Sequence, residues 1–365
     1  MIKVGFVRGA YLNKYEWQNY NINNKNIKVT PISSIHPLNT INDGKKLLSL
    51  TDINNSKILN YIANRTIGDS QILIRLKGTV KDFDILHTAD PHYYYSYQLA
   101  KLKENKPLIS TYWDTIPFNN ESTISKRRIK KYAMDKTDLF ISHTQKAKKC
   151  LETEGIRNKR IEVIPLGVDL TRFKPKKNTN KKFKTVLFVG RLVEEKGILD
   201  LYQAFKNCLY LNYKNKLKLL IVGKGPLKRK LLKQIKKDGL QNSISIKDCA
   251  YDLIHLIYQK ADIFILSSRA TTTWEEQYGM VLIEAMASGL PIIAYDSGAI
   301  GEVLQKTNIL VKEGNIQTLT ESMHNLLKDK EMLIKMSEKS RKLAEKRYNC
   351  IKYKEKISYL YKSLI

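Results

Sequence analysis

Residues 275 to 291 read EEQYGMVLIEAMASGLP, and the reading of this stretch governs the rest of the chain. Met280 to Ala287 is apolar apart from Glu284, and Gly289 followed by Pro291 supplies a helix stop, so the segment reads as a short, mostly buried helix. Gly279 stands just before it and lets a ligand come close to the backbone, while the first-turn amides of Met280 and Val281 find no partner inside the helix. Such an end favours an anion. Glu276 lies just outside it and Glu284 one turn inside, so two carboxylates flank a place suited to negative charge. A bare phosphate would be repelled by both. A sugar nucleotide removes the conflict, because its hydroxyls donate to the carboxylates while its diphosphate faces the amides and separate cations. The same spacing also fits one solvated glutamate beside one half-buried ion pair, so the remaining sequence has to choose.

At 365 residues the chain is long for one core, which makes two domains the first expectation. No apolar run of about eighteen residues occurs, and MIKVGFVRGA reads as a first strand rather than a signal peptide. Cys150, Cys208, Cys249 and Cys350 are far apart and show neither a CxxC nor a Cys/His ligand spacing, which argues against a disulfide framework or a zinc site and for a reducing, cytoplasmic setting. The formal charge of +29 draws the protein toward polyanions of some kind: nucleic acid, an anionic membrane face or an acidic substrate.

Taken in order, Ile2 to Val7 reads as a buried strand running into Arg8 and Gly9, and Tyr11 to Tyr20 as a loop entering a helix. Within 21 to 82, Lys28 to Pro31 and Gln71 to Arg75 read as strands and Lys57 to Asn64 as helix. From Asp84 onward strands and helices alternate, the pattern of a parallel sheet. A Pro/Gly-punctuated connector, Pro165 to Asn180, interrupts the alternation, which restarts at Val186 to Val189 and runs to a helical end from Ile316 to Ile365. The expected division is 1–167, a linker 168–182, a second domain 183–345, and a final helix 346–365 packing back toward the N-terminal domain.

Gly190, Arg191, Lys196 and Gly197 fall between a strand and a helix, where open α/β sheets bind ligands. Arg191 offers a planar fork and Lys196 a mobile point charge, a pair suited to a leaving diphosphate. Gly223, Gly225 and Pro226 make a second glycine turn at the next strand end. The set IPLGVDLTRFKP, VGRLVEEKG, IVGKGP and EQYGMVLIEAMASGLPIIAYDSGAIGEV, in this order and spacing over residues 161 to 305, resembles glycosyltransferase family 4. The resemblance implies an α/β, GT-B fold of two Rossmann-like doubly wound domains facing across a cleft. It also implies a retaining hexosyl transfer from a UDP-, GDP- or ADP-sugar to a hydroxyl of a glycan or lipid-linked acceptor, without a metal or other cofactor. By the same resemblance Arg191 and Lys196 hold the donor diphosphate, Glu276 contacts the sugar and Glu284 takes the ribose hydroxyls. Gly190, Gly223 and the backbone of Gly279, Met280 and Val281 then adjoin the nucleotide, and Gly9 lines the site from the other domain.

One departure from the family pattern stands out. Members commonly carry His where STYWDTIP has Trp113 followed by Asp114, so Trp113 becomes a candidate sugar-stacking wall and Asp114 a polar contact, or else the donor differs. His87 and Asp90, in HTADPHYYY, are acceptor-side candidates, with a purely structural strand-end histidine as the other reading. On the helix near 124 to 135, Lys126, Arg127, Lys130 and Lys131 cover about 140° of the wheel opposite Ile129, Tyr132 and Ala133. This face fits peripheral association with the inner face of an anionic membrane, or a simple solvated surface. Two other functions stay open: a polyanion or nucleic-acid binder, suggested by the charge and by PHYYYSY, and a GT-B enzyme that processes sugars without transferring them.

Overall fold

The computed structural model describes residues 1–53, 63, 65–176, 183–213 and 217–365. The chain divides into two compact units, Met1–Leu166 joined by Cys350–Ile365, and Gly167–Asn349.

The first unit is built on strands β1 Ile2–Gly9, β2 Ile27–Ser34, β3 Lys45–Leu47, β4 Ile85–Thr88, β5 Leu108–Tyr112, β6 Leu139–Ser142 and β7 Arg160–Val163. They lie in the order β3-β2-β1-β4-β5-β6-β7, and every neighbouring pair is parallel. Parallel strands need cover on both faces, which is why β4, β5 and β6 are buried at every residue. Thr123 and Thr144 cap the helices Ile124–Lys136 and Gln145–Thr153 by accepting from Lys126 N (3.2 Å) and Ala147 N (3.1 Å). Helix Cys350–Lys362 returns to this unit and is fixed by side-chain hydroxyls: Tyr353 bonds Tyr20 at 2.5 Å and Tyr361 bonds His87 at 2.8 Å.

Two local readings change here. Gln71 to Arg75 is not a strand: Leu73 makes only an isolated bridge to Ser49, and Arg75, at φ 64, turns the chain into helix Leu76–Val80. The short strand β3, KKL, carries no apolar run and gives no signal in the sequence. Apart from Ala63, the helix read at Lys57 to Asn64 lies outside the described residues, as does the polar tail of the connector at 177–182.

The second unit holds β8 Lys184–Val189, β9 Leu217–Val222, β10 Ile244–Lys247, β11 Ile263–Leu266, β12 Ile292–Tyr295 and β13 Ile309–Val311, all parallel, in the order β10-β9-β8-β11-β12-β13. From β8 the chain first builds outward through β9 and β10, then crosses to the other side of β8 with β11. That reversal leaves a crevice beyond the carboxyl ends of β8 and β11, the usual ligand position in an open α/β sheet. Val168 N donates to Tyr348 O at 2.8 Å and Phe173 is fully buried, so the first part of the connector packs into the second unit.

Candidate active site

The loop after β8 and the turn after β11 meet at this crevice. Gly197, at φ 59, ends the one-turn segment Glu194–Lys196 and sits so close to β11 that an added Cβ would lie 1.8 Å from Ser267 O. Backbone cannot yield there as a flexible side chain would. Gly197→Ala is therefore expected to cost about 3 kcal/mol or more and to lower the melting temperature by roughly 6 to 12 °C, read by circular dichroism. A melting temperature equal to that of the unsubstituted protein would show that the loop does not pack as described.

This packing delivers Lys196 to its partner. Lys196 Nζ stands 2.5 Å from Glu276 Oε2 and 4.7 Å from the ring centre of Trp274, and Ser268 Oγ donates to the same carboxylate oxygen at 2.8 Å. The side chains of Lys196 and Glu276 are only 13% and 10% exposed, so each charge depends on the other for its stability. Glu276 is held from behind as well, since its carbonyl accepts from Ala299 N at 2.8 Å. Arg191 sits apart from the pair. Its side chain is 62% exposed and bonds Glu195 at 3.3 Å.

Gly223 has a different duty from the one its position in a nucleotide loop suggests. Gly190 N bonds Val222 O at 3.0 Å, and a Cβ on Gly223 would lie 1.9 Å from Gly190 O, so the glycine lets the loops after β8 and β9 lie backbone to backbone. Gly190 and Gly223 thus shape one wall of the crevice without offering a side chain.

Helix Met280–Ala287 begins directly after Gly279, with Met280 and Val281 half-buried at its start. Glu284 is 3% exposed and accepts from Tyr258 Oη at 2.8 Å, with Tyr251 as a second hydroxyl partner. Burial pushes its carboxyl up to about 7, against the opposing pull of Tyr258, Tyr251 and the Arg172 charge. The two glutamates therefore have separate partners: Glu276 is neutralised by a cation, whereas Glu284 sits among phenols.

Sequence comparison accounts for both units. Residues 57–172 match the family model described as Glycosyltransferase Family 4, and residues 169–343 match that of Glycosyl transferases group 1. The chain belongs to glycosyltransferase family 4. Among its relatives is a D-inositol 3-phosphate glycosyltransferase of Nocardia farcinica, 26% identical over 292 residues, 70% of this chain and 61% of that one. Another is an N-acetyl-alpha-D-glucosaminyl L-malate synthase of Bacillus anthracis, 26% identical over 275 residues, 72% of this chain and 70% of that one. The chain thus spans less than two thirds of the length of the first relative. The crystal structure of Anabaena Alr3699/HepE in complex with UDP superposes with a TM-score of 0.76 at 16% identity over 100% of both chains, which identifies the fold as GT-B.

The sequence also offered residues of the first unit: Gly9 by the family 4 resemblance, Trp113 and Asp114 by a departure from it, and His87 and Asp90 by their place at a strand end. His87 is fully buried, with Nδ1 bonded to Tyr361 and Nε2 to Thr111, each at 2.8 Å, and burial holds its pKa well below the ordinary value. As an acceptor contact it is thereby corrected to a core residue joining β4 to helix Cys350–Lys362. Gly9 adjoins the loop in which Ala10 N donates to Gln71 Oε1 at 3.0 Å. Asp90 is buried and takes Trp113 N at 2.7 Å. Burial, then the neighbouring Asp114, pushes its carboxyl well above the carboxylate range. Asp114 accepts from the amides of Asn119 (3.4 Å) and Asn120 (3.1 Å), and Trp113 is half-buried with its ring edge-on to His143 at 4.4 Å.

Asp90, His92 and Asp114 bring their ligand atoms within 4.8 Å of one another, the one cluster among the described residues with the reach to hold a metal ion. Burial, then the Lys130 and Lys126 charges, hold the His92 imidazole at about 3, so its 3.7 Å approach to Asp114 is no ion pair at neutral pH.

The basic helix is corrected too. Lys130 is buried, bonding Glu154 at 2.7 Å and Glu121 at 3.1 Å, and Lys126 is half-buried, which leaves Arg127, Arg128 and Lys131 as the outward cations. In PHYYYSY, Tyr95 is fully buried and stacks on Tyr93 at 5.2 Å, so the run is no open platform for bases. Ser268 and Trp274 were not singled out in the sequence. The serine pair directly after β11 and a tryptophan two residues before Glu276 were the available signals.

Proposed function

We propose that the chain transfers a hexosyl unit from a nucleotide diphospho-sugar to a hydroxyl of a glycan or lipid-linked acceptor, with retention at the anomeric carbon and without a metal ion. The observation that carries this reading is the Lys196–Glu276 pair at the switch point of the second sheet. A donor diphosphate entering the crevice competes with Glu276 for the Lys196 ammonium, and the carboxylate so released accepts hydrogen bonds from sugar hydroxyls. Arg191, exposed on the same loop, closes on the diphosphate, and the helix start at Met280 and Val281 adds its amides. In the reaction the bond from the anomeric carbon to the phosphate oxygen breaks and a bond to the acceptor oxygen forms on the same face. The acceptor's proton passes to the departing phosphate oxygen, so no separate carboxylate base is used. Glu284, buried one turn into helix Met280–Ala287, takes the ribose hydroxyls. The nucleotide-binding neighbour and the glycosyl-transferring relatives support the class of reaction.

The test is a thermal-shift panel of UDP, GDP and ADP sugars with and without a chelator. One nucleotide series is expected to raise the melting temperature, and turnover with that donor is expected to persist in excess chelator. Loss of turnover on chelation, restored by a divalent ion, removes the metal-independent part of the reading. A protein that shifts with none of the three loses the transferase reading altogether.

A bilayer-facing edge belongs to the same proposal. No described helix is long and apolar enough to cross a membrane, but Phe118 and Ile124 are 57% and 76% exposed beside the outward Arg127, Arg128 and Lys131. Apolar side chains among cations suit the interface of an anionic leaflet. Co-sedimentation with vesicles containing anionic lipid is expected, and Arg127→Glu with Lys131→Glu is expected to abolish it. Equal binding to neutral vesicles removes the idea.

A further inference from the structure

In the loop after β11, Trp274 is half-buried and its ring faces the Lys196 ammonium, with Nζ 4.7 Å from the ring centre. The backbone builds this approach; it is not left to two mobile side chains. Arg269 N donates to Glu195 O at 2.8 Å and Ser267 Oγ to Gly197 O at 2.8 Å, so the loop is stitched to the residues on either side of Lys196. Further along, Thr271 N donates to Trp274 O at 2.6 Å while Trp274 N donates to Thr271 Oγ1 at 2.9 Å, which closes the turn that presents the indole.

Lys196 therefore has two neighbours of different kinds. Glu276 fixes the ammonium by cancelling its charge, and a diphosphate must displace that carboxylate to use the lysine. A lysine stem is flexible, so an ammonium released from its carboxylate would swing and hydrate unless something else held it. The indole face attracts the cation through its quadrupole, offers no acceptor that competes with phosphate oxygens, and leaves the charge intact. An aliphatic side chain would touch the stem without that attraction. We infer that Trp274 is a positioning residue, which keeps the Lys196 ammonium at the crevice once Glu276 releases it, so that the lysine meets the diphosphate already in place. The inference rests on the donor-binding part of the transferase reading and adds to it the residue through which Lys196 is aimed.

Calorimetric binding of UDP, GDP and ADP to the full chain tests it, since this measurement needs neither an acceptor nor turnover. With whichever diphosphate binds, Trp274→Leu is expected to weaken affinity about tenfold, and Trp274→Phe, which keeps an aromatic face, to stay within about threefold of the unsubstituted protein. In a Lys196→Ala background, Trp274→Leu is expected to cost less than about twofold, because the ring then has no cation to hold. A side chain serving the fold alone would weaken binding equally in both backgrounds, and that result overturns the assignment. So does a Phe variant as weak as the Leu variant, or full affinity in Trp274→Leu while Lys196→Ala has lost its own. Each of these outcomes leaves the donor site standing. Binding that Lys196→Ala does not weaken removes the lysine's role and this one with it, whereas a chain that binds none of the three diphosphates takes the transferase reading and this inference away together.

Discussion

Lys196→Ala is expected to lower kcat/KM by about a thousandfold, because in the proposed reaction it removes a preorganised cation from the place where charge develops on the leaving diphosphate. The geometry makes the loss larger than that of a surface lysine. Lys196 Nζ is 2.5 Å from Glu276 Oε2 in a crevice where both side chains are nearly enclosed, so truncating the lysine also leaves a carboxylate with Ser268 as its remaining side-chain partner. Breaking one side of such a pair costs on the order of 3 kcal/mol, which adds a fall in melting temperature to the fall in rate.

Stability and catalysis can be separated by a double-mutant cycle. Glu276→Gln keeps an acceptor for Ser268 but has no charge for the lysine, and is expected to lower kcat about a hundredfold with little change in donor KM. Combining it with Lys196→Ala is expected to restore most of the lost melting temperature and none of the activity. Lys196→Arg, which restores charge without the point geometry, is expected to recover stability ahead of rate. Wild-type kcat/KM in Lys196→Ala, measured with the donor that stabilises the protein, would falsify the role given to this pair.

The sequence disclosed the second unit more fully than the first, and the reason is physical. Strands such as Ile263–Leu266 and Ile292–Tyr295 are short apolar runs buried at every residue, which is how a doubly covered parallel strand must read. The motif loops lie at strand ends, so Lys196 and Glu276 could be placed near one crevice before any coordinates. What could not be read was which side chain takes which partner. Lys196 closes on Glu276 because Gly197 is drawn onto Ser267, a contact set by tertiary packing, and Gly223 is glycine because Gly190 passes over it. In the first unit the failures share one cause. His87, Lys130 and Tyr95 are polar or amphipathic residues that a wheel or a strand end presents as available, yet each is buried. His87 and Lys130 are satisfied there by partners far along the chain: Tyr361 for the histidine and Glu154 for the lysine. Burial of a polar side chain depends on such partners, and local pattern does not reveal them.

Glu284→Ala is expected to abolish measurable transfer, with kcat/KM down about a hundredfold or more, since in the proposed reaction the buried carboxylate accepts both ribose hydroxyls. Its own titration supplies the sharper test. Burial raises this carboxyl from its ordinary value to about 7, so the folded protein keeps a proton that the unfolded chain releases. The stabilisation from that retained proton is full below about pH 4.5 and is lost as pH rises through about 7, an effect of about 3 kcal/mol relative to Glu284→Gln. Binding follows the opposite trend. Only the ionised carboxylate accepts from two hydroxyls at once, so donor affinity is expected to rise with pH by up to about tenfold per unit below 7 and to level off above it. Glu284→Gln, which keeps the shape and has no proton to lose, is expected to bind the donor more weakly and without this pH dependence. The decisive measurement is donor Kd by calorimetry from about pH 5.5 to 8 in both proteins. A flat profile in the unsubstituted chain, together with full turnover in Glu284→Ala, would place the ribose elsewhere and leave Glu284 as a buried acid held by Tyr258 and Tyr251 for the fold alone.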